Sequence, residues 1–280
     1  MNFLTKNIKE TFQSISQHKK FFIGLLILQI FVFALFAIVT FNYAIKIISN
    51  VETITQSSQT QSISQNTDQQ IQNALAMSTQ LKQITQHLTF LGISLTTLFL
   101  IGNGLLWSLS HELINQTSNN QIQWKTFFKN MLHQWLKFAT TTIIIFTPFL
   151  IIAYYIVTRS INQSIAPETF GWILKTIIAS TSVIYFFTLI TYAQINEQSW
   201  KKYMQRIITT FKKIHYIFLA TAINLLLLAS TLYATYLSVS IPTLETLSLI
   251  LTFIFIFLLV LTRLFWIISL KNITLNQPKS

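Results

Sequence analysis

Cysteine is absent from the chain, and charged residues, glycine and proline are all scarce. Without cysteine there is no disulfide, no thiolate metal ligand and no cysteine nucleophile. Charged residues make up only 9% of the sequence, whereas soluble domains contain about 25%. A water-soluble fold of this composition would lack the polar surface to cover itself. The sequence therefore predicts an integral membrane protein.

Six stretches are apolar and long enough to cross the roughly 30 Å hydrocarbon core of a bilayer as helices. We place these spans near residues 21–45, 88–110, 138–158, 171–194, 215–240 and 244–270. The first follows Lys19 and Lys20, but its apolar run exceeds that of a secretory signal and no small-residue cleavage site ends it, so we expect it to be retained. The predicted fold is an all-α polytopic membrane domain over residues 1–280.

Positive charge is distributed unevenly across these spans. With six spans, 15 of the 19 lysines and arginines fall on the side of the membrane that holds both termini. Lysine and arginine in short loops stay in the cytoplasm. We therefore expect a multi-pass protein of the cell (cytoplasmic) membrane with both termini in the cytoplasm.

Two segments share one pattern of apolar residues, namely WKTFFKNMLHQWLKF (124–138) and WKKYMQRIITTFKKI (200–214). The spacing i, i+3, i+4, i+7, i+8, i+11 and i+14 forms one face of a helix, with lysines opposite. We interpret 124–137 and 200–214 as amphipathic helices on the cytoplasmic surface, each leading into a span.

The N-terminal stretch fits this pattern more loosely. Leu4, Ile8, Phe12 and Ile15 match it, whereas Asn7, Thr11 and His18 do not. Taken together, the chain is interpreted as three parallel repeats of two spans each, related by rotation about the membrane normal. Convergence is the alternative, because any apolar helix at a bilayer surface shows such a stripe.

The basic residues of the two amphipathic segments form a predicted collar facing anionic lipid of the inner leaflet. Its members are Lys125, Lys129, Lys137, Lys201, Lys202, Arg206, Lys212 and Lys213. Each contributes on the order of 1 kcal/mol near an anionic surface. In isolation the segment 200–215 could bind nucleic-acid phosphates. Because its apolar stripe continues into a span, we expect a lipid surface as the partner and no nucleic acid.

The segment 46–87 between the first two spans is rich in Gln, Ser and Thr. Its second half carries an apolar stripe from Ile71 to Leu88, which favours a helical hairpin projecting outside. Such a hairpin would offer a surface for a protein partner or for self-association. The alternative is a flexible linker, because the polar composition is also typical of disorder.

Polar residues within membrane spans are the first place to look for function. Five of them fall at similar distances from the cytoplasmic ends of their spans: Gln29, Asn103, Thr147, Asn224 and Arg263. They could form one polar layer that binds a solute, an ion or a lipid headgroup. Alternatively each amide bonds a neighbouring helix and Arg263 extends to the surface.

Recognisable catalytic motifs are missing. The sequence His-Glu-Leu at 111–113 begins like a zinc-protease helix, but Asn115 stands where the second histidine is required. All carboxylates are predicted near membrane surfaces or in loops, which disfavours proton-coupled transport. We therefore expect no metal, no cofactor and no enzymatic activity.

The layout of a basic amphipathic helix followed by a span pair, repeated three times, resembles small prokaryotic six-span proteins. It is also similar in outline to the membrane domain attached to some glycerophosphodiester phosphodiesterases. The catalytic domain of that group has no counterpart here, and the long outer segment 46–87 is a departure. The resemblance implies a lipid- or envelope-associated scaffold or accessory subunit. The alternative is a passive carrier or channel that uses the inner polar layer.

Overall fold

The computed structural model of the protein describes residues 3–61, 67–115, 124–162, 167–197, 199–239, 241 and 245–275. Every regular element within these ranges is a helix. The α-helices are α1 (Phe3–Gln17), α2 (Lys19–Gln61), α3 (Thr67–Leu98), α4 (Gly104–Asn115), α5 (Trp124–Asn162), α6 (Pro167–Tyr192), α7 (Trp200–Phe211), α8 (Ile214–Val239) and α9 (Glu245–Leu275). A π-helix, Phe99–Asn103, joins α3 to α4.

Among the described residues, six helical stretches are long and apolar enough to cross a membrane, which confirms the all-α class and the predicted number of spans. They are Lys19–Gln56, Leu75–Asn115, Lys125–Ser160, Glu168–Tyr192, His215–Val239 and Thr246–Ile273. The second of them runs through α3, the π-helix and α4. The turn of the predicted outer hairpin falls at residues 62–66, outside the described residues.

The two amphipathic segments differ in how they join their spans. Helix α7 ends at Phe211, and a turn at Lys212 and Lys213 separates it from α8. The segment 124–137, in contrast, is continuous with the span in α5 and is not a separate helix. The adjacent lysines Lys212 and Lys213 follow α7, and Lys19 and Lys20 follow α1. The segment 124–138 contains no pair of adjacent lysines.

The chain divides into two compact units. One comprises Val32–Ile101 and Phe146–Thr181, and α5 continues through Pro148 within it. Among its described large apolar side chains only Val32 and Ile84 are buried, as expected of helices that face lipid. A hydrogen bond of 3.0 Å between the Thr89 and Tyr154 hydroxyls links two of its helices.

The other unit comprises Met1–Phe31, Gly102–Ile145 and Ser182–Ser280. Its core is aromatic and is centred on Tyr192 at the end of α6, which is 0% exposed. The Tyr192 ring lies 4.3 Å from that of Phe138 and 5.5 Å from that of Trp107, measured between centroids. This core holds α4, α5 and α6 together at the level of the candidate site.

Helix α1 packs with the face that the apolar pattern did not favour. Asn7 and Thr11 are buried, whereas Ile8 and Phe12 are 44% and 55% exposed. The pattern predicts an apolar stripe, but apolar periodicity contains no information about a polar packing face. The exposed apolar residues of α1 remain available to lipid.

Hydrogen bonds explain why the polar face of α1 is buried. Asn7 Nδ2 donates to Ser269 Oγ at 3.1 Å, and Asn272 Nδ2 donates to Asn7 Oδ1 at 2.8 Å. Asn272 Nδ2 also donates to Glu10 Oε2 at 2.7 Å. Buried polar groups are stable only when they are paired, and these bonds fix α1 on the last turns of α9.

Candidate cavity in the inner unit

A cavity of about 400 Å³ lies among α4, α6, α8 and α9, entirely within the unit that contains Tyr192. Its volume is within the range of small-ligand sites. Most of its walls are apolar. The lining residues are Trp107, Ser182, Tyr185, Phe186, Leu189, Thr221, Asn224, Leu225, Leu228, Leu259, Thr262, Arg263 and Trp266.

Arg263 is the cation of this cavity. Its Nη2 donates to Gln29 Oε1 at 2.7 Å, and its guanidinium lies over the Trp107 ring, 5.7 Å from the centroid. Its Nη1 is buried and has no hydrogen-bond partner among the described residues. None of the ion pairs within the described ranges includes Arg263. Arg263 is therefore a partly buried charge without a counter-ion in this part of the chain.

Asn224 lines the same cavity from α8. Its Nδ2 donates to the backbone oxygen of Thr262 at a long 3.5 Å. Its Oδ1 is buried and unpaired within the described residues. Leaving such an acceptor unsatisfied costs about 1–3 kcal/mol. Asn224 and Arg263 thus line the same cavity, and each has one unpaired polar atom that is itself buried.

Three of the five predicted polar residues come together in this unit. Arg263 and Asn224 line the cavity, and Gln29 orients the guanidinium from α2. Asn103 ends the π-helix and is not among the lining residues. Thr147 belongs to the other unit. The predicted layer is thus reduced to a smaller site, and Gln29 holds the Arg263 side chain within the unit.

Most of the predicted basic collar is accessible. Lys125, Lys129, Lys201, Lys202 and Lys212 are all exposed.

Two further collar residues are partly buried and bonded. Arg206 forms an ion pair with Glu197, and Lys213 Nζ donates to the backbone oxygen of Ile273 at 3.0 Å, near the end of α9. The second bond satisfies one of the carbonyls that a helix leaves unpaired at its C-terminus.

Lys137 does not face lipid as predicted. It is 0% exposed, and its Nζ has no hydrogen-bond partner in the described part of the chain. The ammonium instead lies 5.8 Å from the Trp200 ring and 5.7 Å from the Tyr203 ring. Aromatic faces attract a desolvated cation, so α7 covers this lysine and removes it from the collar.

Tyr203 fixes α7 on α5 by a second contact. Its hydroxyl lies 3.0 Å from Thr141 Oγ1, and the side chain is 1% exposed. Burial raises the pKa of the Tyr203 phenol, and its hydrogen bond to Thr141 opposes that shift. On the other edge of the helix, Met204 and Ile208 are more than half exposed. The predicted stripe of α7 therefore divides into a packed edge and an edge available to lipid.

A polar network at the end of α4 was not predicted. Gln134 Nε2 donates to Glu112 Oε1 at 2.8 Å and to Asn196 Oδ1 at 3.0 Å. Glu112 is only 8% exposed, so this carboxylate is buried within the protein near the end of a span. The adjacent His111 Nε2 lies 2.9 Å from the Tyr192 backbone oxygen. The available signal is the four polar residues Ser108, Ser110, His111 and Glu112 in a stretch without a lysine or arginine.

No known protein family, curated protein or solved structure matches the chain in the three comparisons made. The functional argument therefore rests on the geometry of the cavity. A largely apolar, partly open cavity with one uncompensated cation in its wall suits an amphiphile with a negatively charged head.

Proposed function

We propose that this chain is a non-enzymatic, lipid-associated membrane protein that binds an anionic amphiphile of the inner leaflet in the cavity at Arg263. It would act as a scaffold or accessory subunit in the cytoplasmic membrane. The observation that carries the proposal is the guanidinium charge of Arg263 in the wall of an apolar cavity, without an ion-pair partner among the described residues.

The energetic argument starts from the cost of burying charge. Removing one ion from water costs several kcal/mol in a protein interior, and a nearby counter-ion with good geometry offsets that cost. Gln29 supplies a neutral acceptor to one nitrogen of Arg263 and leaves the charge uncompensated. A phosphate or carboxylate in the cavity would supply the counter-ion, and arginine pairs with both in a two-pronged geometry.

The apolar walls favour an amphiphile over a free inorganic anion. Phe186, Leu225, Leu228 and Leu259 all line the cavity. A hydrated ion would make no favourable contact with these side chains, whereas a hydrocarbon chain packs against them as it does against neighbouring lipid. The cavity volume suits a headgroup with the adjoining part of a chain.

The orientation and the repeat are part of the same proposal. Both termini would lie in the cytoplasm, where the exposed lysines of α5 and α7 would contact anionic lipid. Helices α1 and α7 each precede a pair of spans, which supports three parallel repeats. In the second repeat the surface helix is fused to its span. The collar would concentrate anionic lipid near the cavity.

Helix length supports the proposed outer contact surface. Helix α2 has 43 residues, which at 1.5 Å per residue gives about 65 Å, roughly twice the hydrocarbon thickness. Its outer part and the start of α3 would project as helices, and Ile48, Val51 and Leu75 are exposed there. This region would hold a protein partner or a second copy.

The test of anion binding compares thermal unfolding in neutral detergent with and without added anionic phospholipid. Wild-type protein should gain stability from the lipid by mass action, by about 2.7 kcal/mol at a concentration 100 times the dissociation constant. Arg263→Gln should lose this gain. It should be at least as stable as wild type without lipid, because the variant no longer buries an unpaired charge.

The matched control is Lys82→Gln, which removes one exposed positive charge from the other unit. It should keep the full lipid-dependent gain. An equal gain in wild type and Arg263→Gln would contradict the proposal, because the lipid would then be acting at the collar or through the detergent micelle.

A further inference from the structure

The walls of the cavity differ in how far they are buried. Trp107 on α4 and Trp266 on α9 line it, and both are only 3% exposed. Ser182 and Tyr185 on α6 also line it but are exposed, and the lining residue Leu225 on α8 is 61% exposed. The buried residues thus form a floor, whereas the exposed ones lie on the two flanking helices. The cavity therefore opens sideways, between α6 and α8.

This opening lies near the middle of the membrane-spanning helices. Ser182 and Leu225 each lie two residues from the midpoint of their span. Arg263 lies fewer than four residues from the midpoint of its own span. At 1.5 Å per residue, all three are within about 6 Å of the middle of a span. Three helices thus place the cavity and its cation close to the centre of the hydrocarbon core.

Aromatic rings close the cavity towards α7. Phe186 on α6 lies 6.1 Å from Phe218 on α8 and 6.5 Å from Trp266 on α9, measured between ring centroids. Trp266 Nε1 also donates to the Leu189 backbone oxygen at 2.9 Å, which ties α9 to α6. Phe218 is 61% exposed, and exposed side chains change rotamer within nanoseconds. Phe218 is therefore the most readily displaced part of this closure.

The depth of Arg263 matters for a lipid that passes from one leaflet to the other. A charged head meets its largest barrier at the centre of the hydrocarbon core, where there is no water to solvate it. Arg263 lies close to that level, beside an opening through which acyl chains can stay in the bilayer. A cation placed where the passing anion is least stable lowers the barrier more than it stabilises the lipid in either leaflet.

We propose that the cavity is a half-way site through which anionic phospholipids exchange passively between the two leaflets. The head would enter from the α7 side past Phe218, pair with Arg263 at mid-membrane and leave past Ser182, while its chains remain in lipid. The lipid gradient alone drives this exchange. Such a function goes beyond a scaffold or accessory role, and it rests on the proposed binding of an anionic amphiphile at Arg263.

The test measures lipid exchange by the intact protein in phosphatidylcholine vesicles. Trace phosphatidylglycerol or phosphatidylcholine carries a fluorophore on one acyl chain, and dithionite reduces only the fluorophores in the outer leaflet. The rate at which protected fluorophores become reducible reports the exchange. Wild-type protein should exchange phosphatidylglycerol faster than protein-free vesicles do, and faster than it exchanges phosphatidylcholine.

Variants connect this exchange to the cavity. Arg263→Gln should slow the exchange of phosphatidylglycerol by roughly tenfold or more, the effect of one charge-assisted hydrogen bond, and bring it to the rate of phosphatidylcholine. Lys82→Gln removes an exposed charge from the other unit and should leave both rates unchanged. Phe218→Ala should accelerate exchange. Phe253→Ala removes another exposed ring of the same unit and should not.

The outcomes distinguish this inference from the proposed function. Exchange no faster than in protein-free vesicles, or equal exchange by wild type and Arg263→Gln, would overturn the half-way site. The stability that anionic lipid adds in detergent would then still support binding at Arg263, whereas the absence of that gain would overturn both. Inhibition by soluble glycerol phosphate at the concentration of the lipid would identify a water-soluble anion as the ligand and overturn the inference. Equal rates for Phe218→Ala and wild type would contradict the path past Phe218.

Discussion

Gly104 is expected to tolerate no side chain, and the prediction can be worked out from its surroundings. It begins α4, directly after the π-helix. A Cβ atom added to it would lie 2.6 Å from Trp135 Cδ1 and 3.0 Å from Phe138 Cδ1. Phe138 is 0% exposed and packs on Tyr192, so its ring has no simple way to move aside, whereas Trp135 is half-buried.

Two opposing terms decide the effect of Gly104→Ala on the free energy of unfolding. Alanine favours a helix over glycine by about 0.8–1 kcal/mol. Forcing an extra carbon into a packed core costs typically 1–3 kcal/mol, and a contact well under 3 Å belongs to the upper part of that range. We expect a net destabilisation of about 1–2 kcal/mol.

Gly24 supplies the matched control, because it lies in α2 of the same unit and a Cβ there would meet no atom within 4 Å. Gly24→Ala should be neutral or stabilising by up to about 1 kcal/mol. Both variants are unfolded with increasing dodecyl sulfate in mixed micelles and followed by tryptophan fluorescence and circular dichroism. Equal unfolding midpoints for Gly104→Ala and Gly24→Ala would refute the close packing of α4 on α5.

Two further predictions concern α7. Lys137→Met should stabilise the protein by about 1–2 kcal/mol. Removing a buried ammonium saves several kcal/mol, and the loss of its cation–π attraction costs about 2 kcal/mol. A lower unfolding midpoint would contradict this prediction. Burial raises the pKa of Tyr203 in the native state. The contribution of Tyr203 to the free energy of unfolding is therefore complete below the pKa of about 10 that tyrosine has in the unfolded chain. It decreases as the pH rises further, because the native state keeps the proton longer. Tyr203→Phe should show a shallower alkaline loss, and an unchanged slope would count against it.

Spans and intramembrane polar residues could be predicted because both depend on local composition. About 20 apolar residues suffice to define a span, and a single asparagine or arginine such as Asn224 or Arg263 is conspicuous within one. Their partners could not be predicted. Arg263 and Gln29 are 234 residues apart, and no local pattern connects residues that only packing brings together.

A prediction from residue type is wrong where a residue lies outside its usual environment. Lysine is almost never buried alone, so the sequence predicts Lys137 at the surface, but it is buried beside two aromatic rings of α7. Asn7 and Thr11 interrupt an apolar stripe, although they form the packing face of α1. Both cases need the identity of the opposing helix, which periodicity within one segment does not contain.

The bonds between α1 and α9 impose an order on assembly. Asn7 and Ser269 are 262 residues apart, so α1 leaves the ribosome long before its partner has been made. Until α9 is inserted, the amides of α1 can bond only to water or headgroups, and its exposed Ile8 and Phe12 can hold it at the bilayer surface. The final span therefore completes the packing of the first helix, and a chain stopped before residue 269 would carry all earlier spans without the hydrogen bonds that fix α1 to α9.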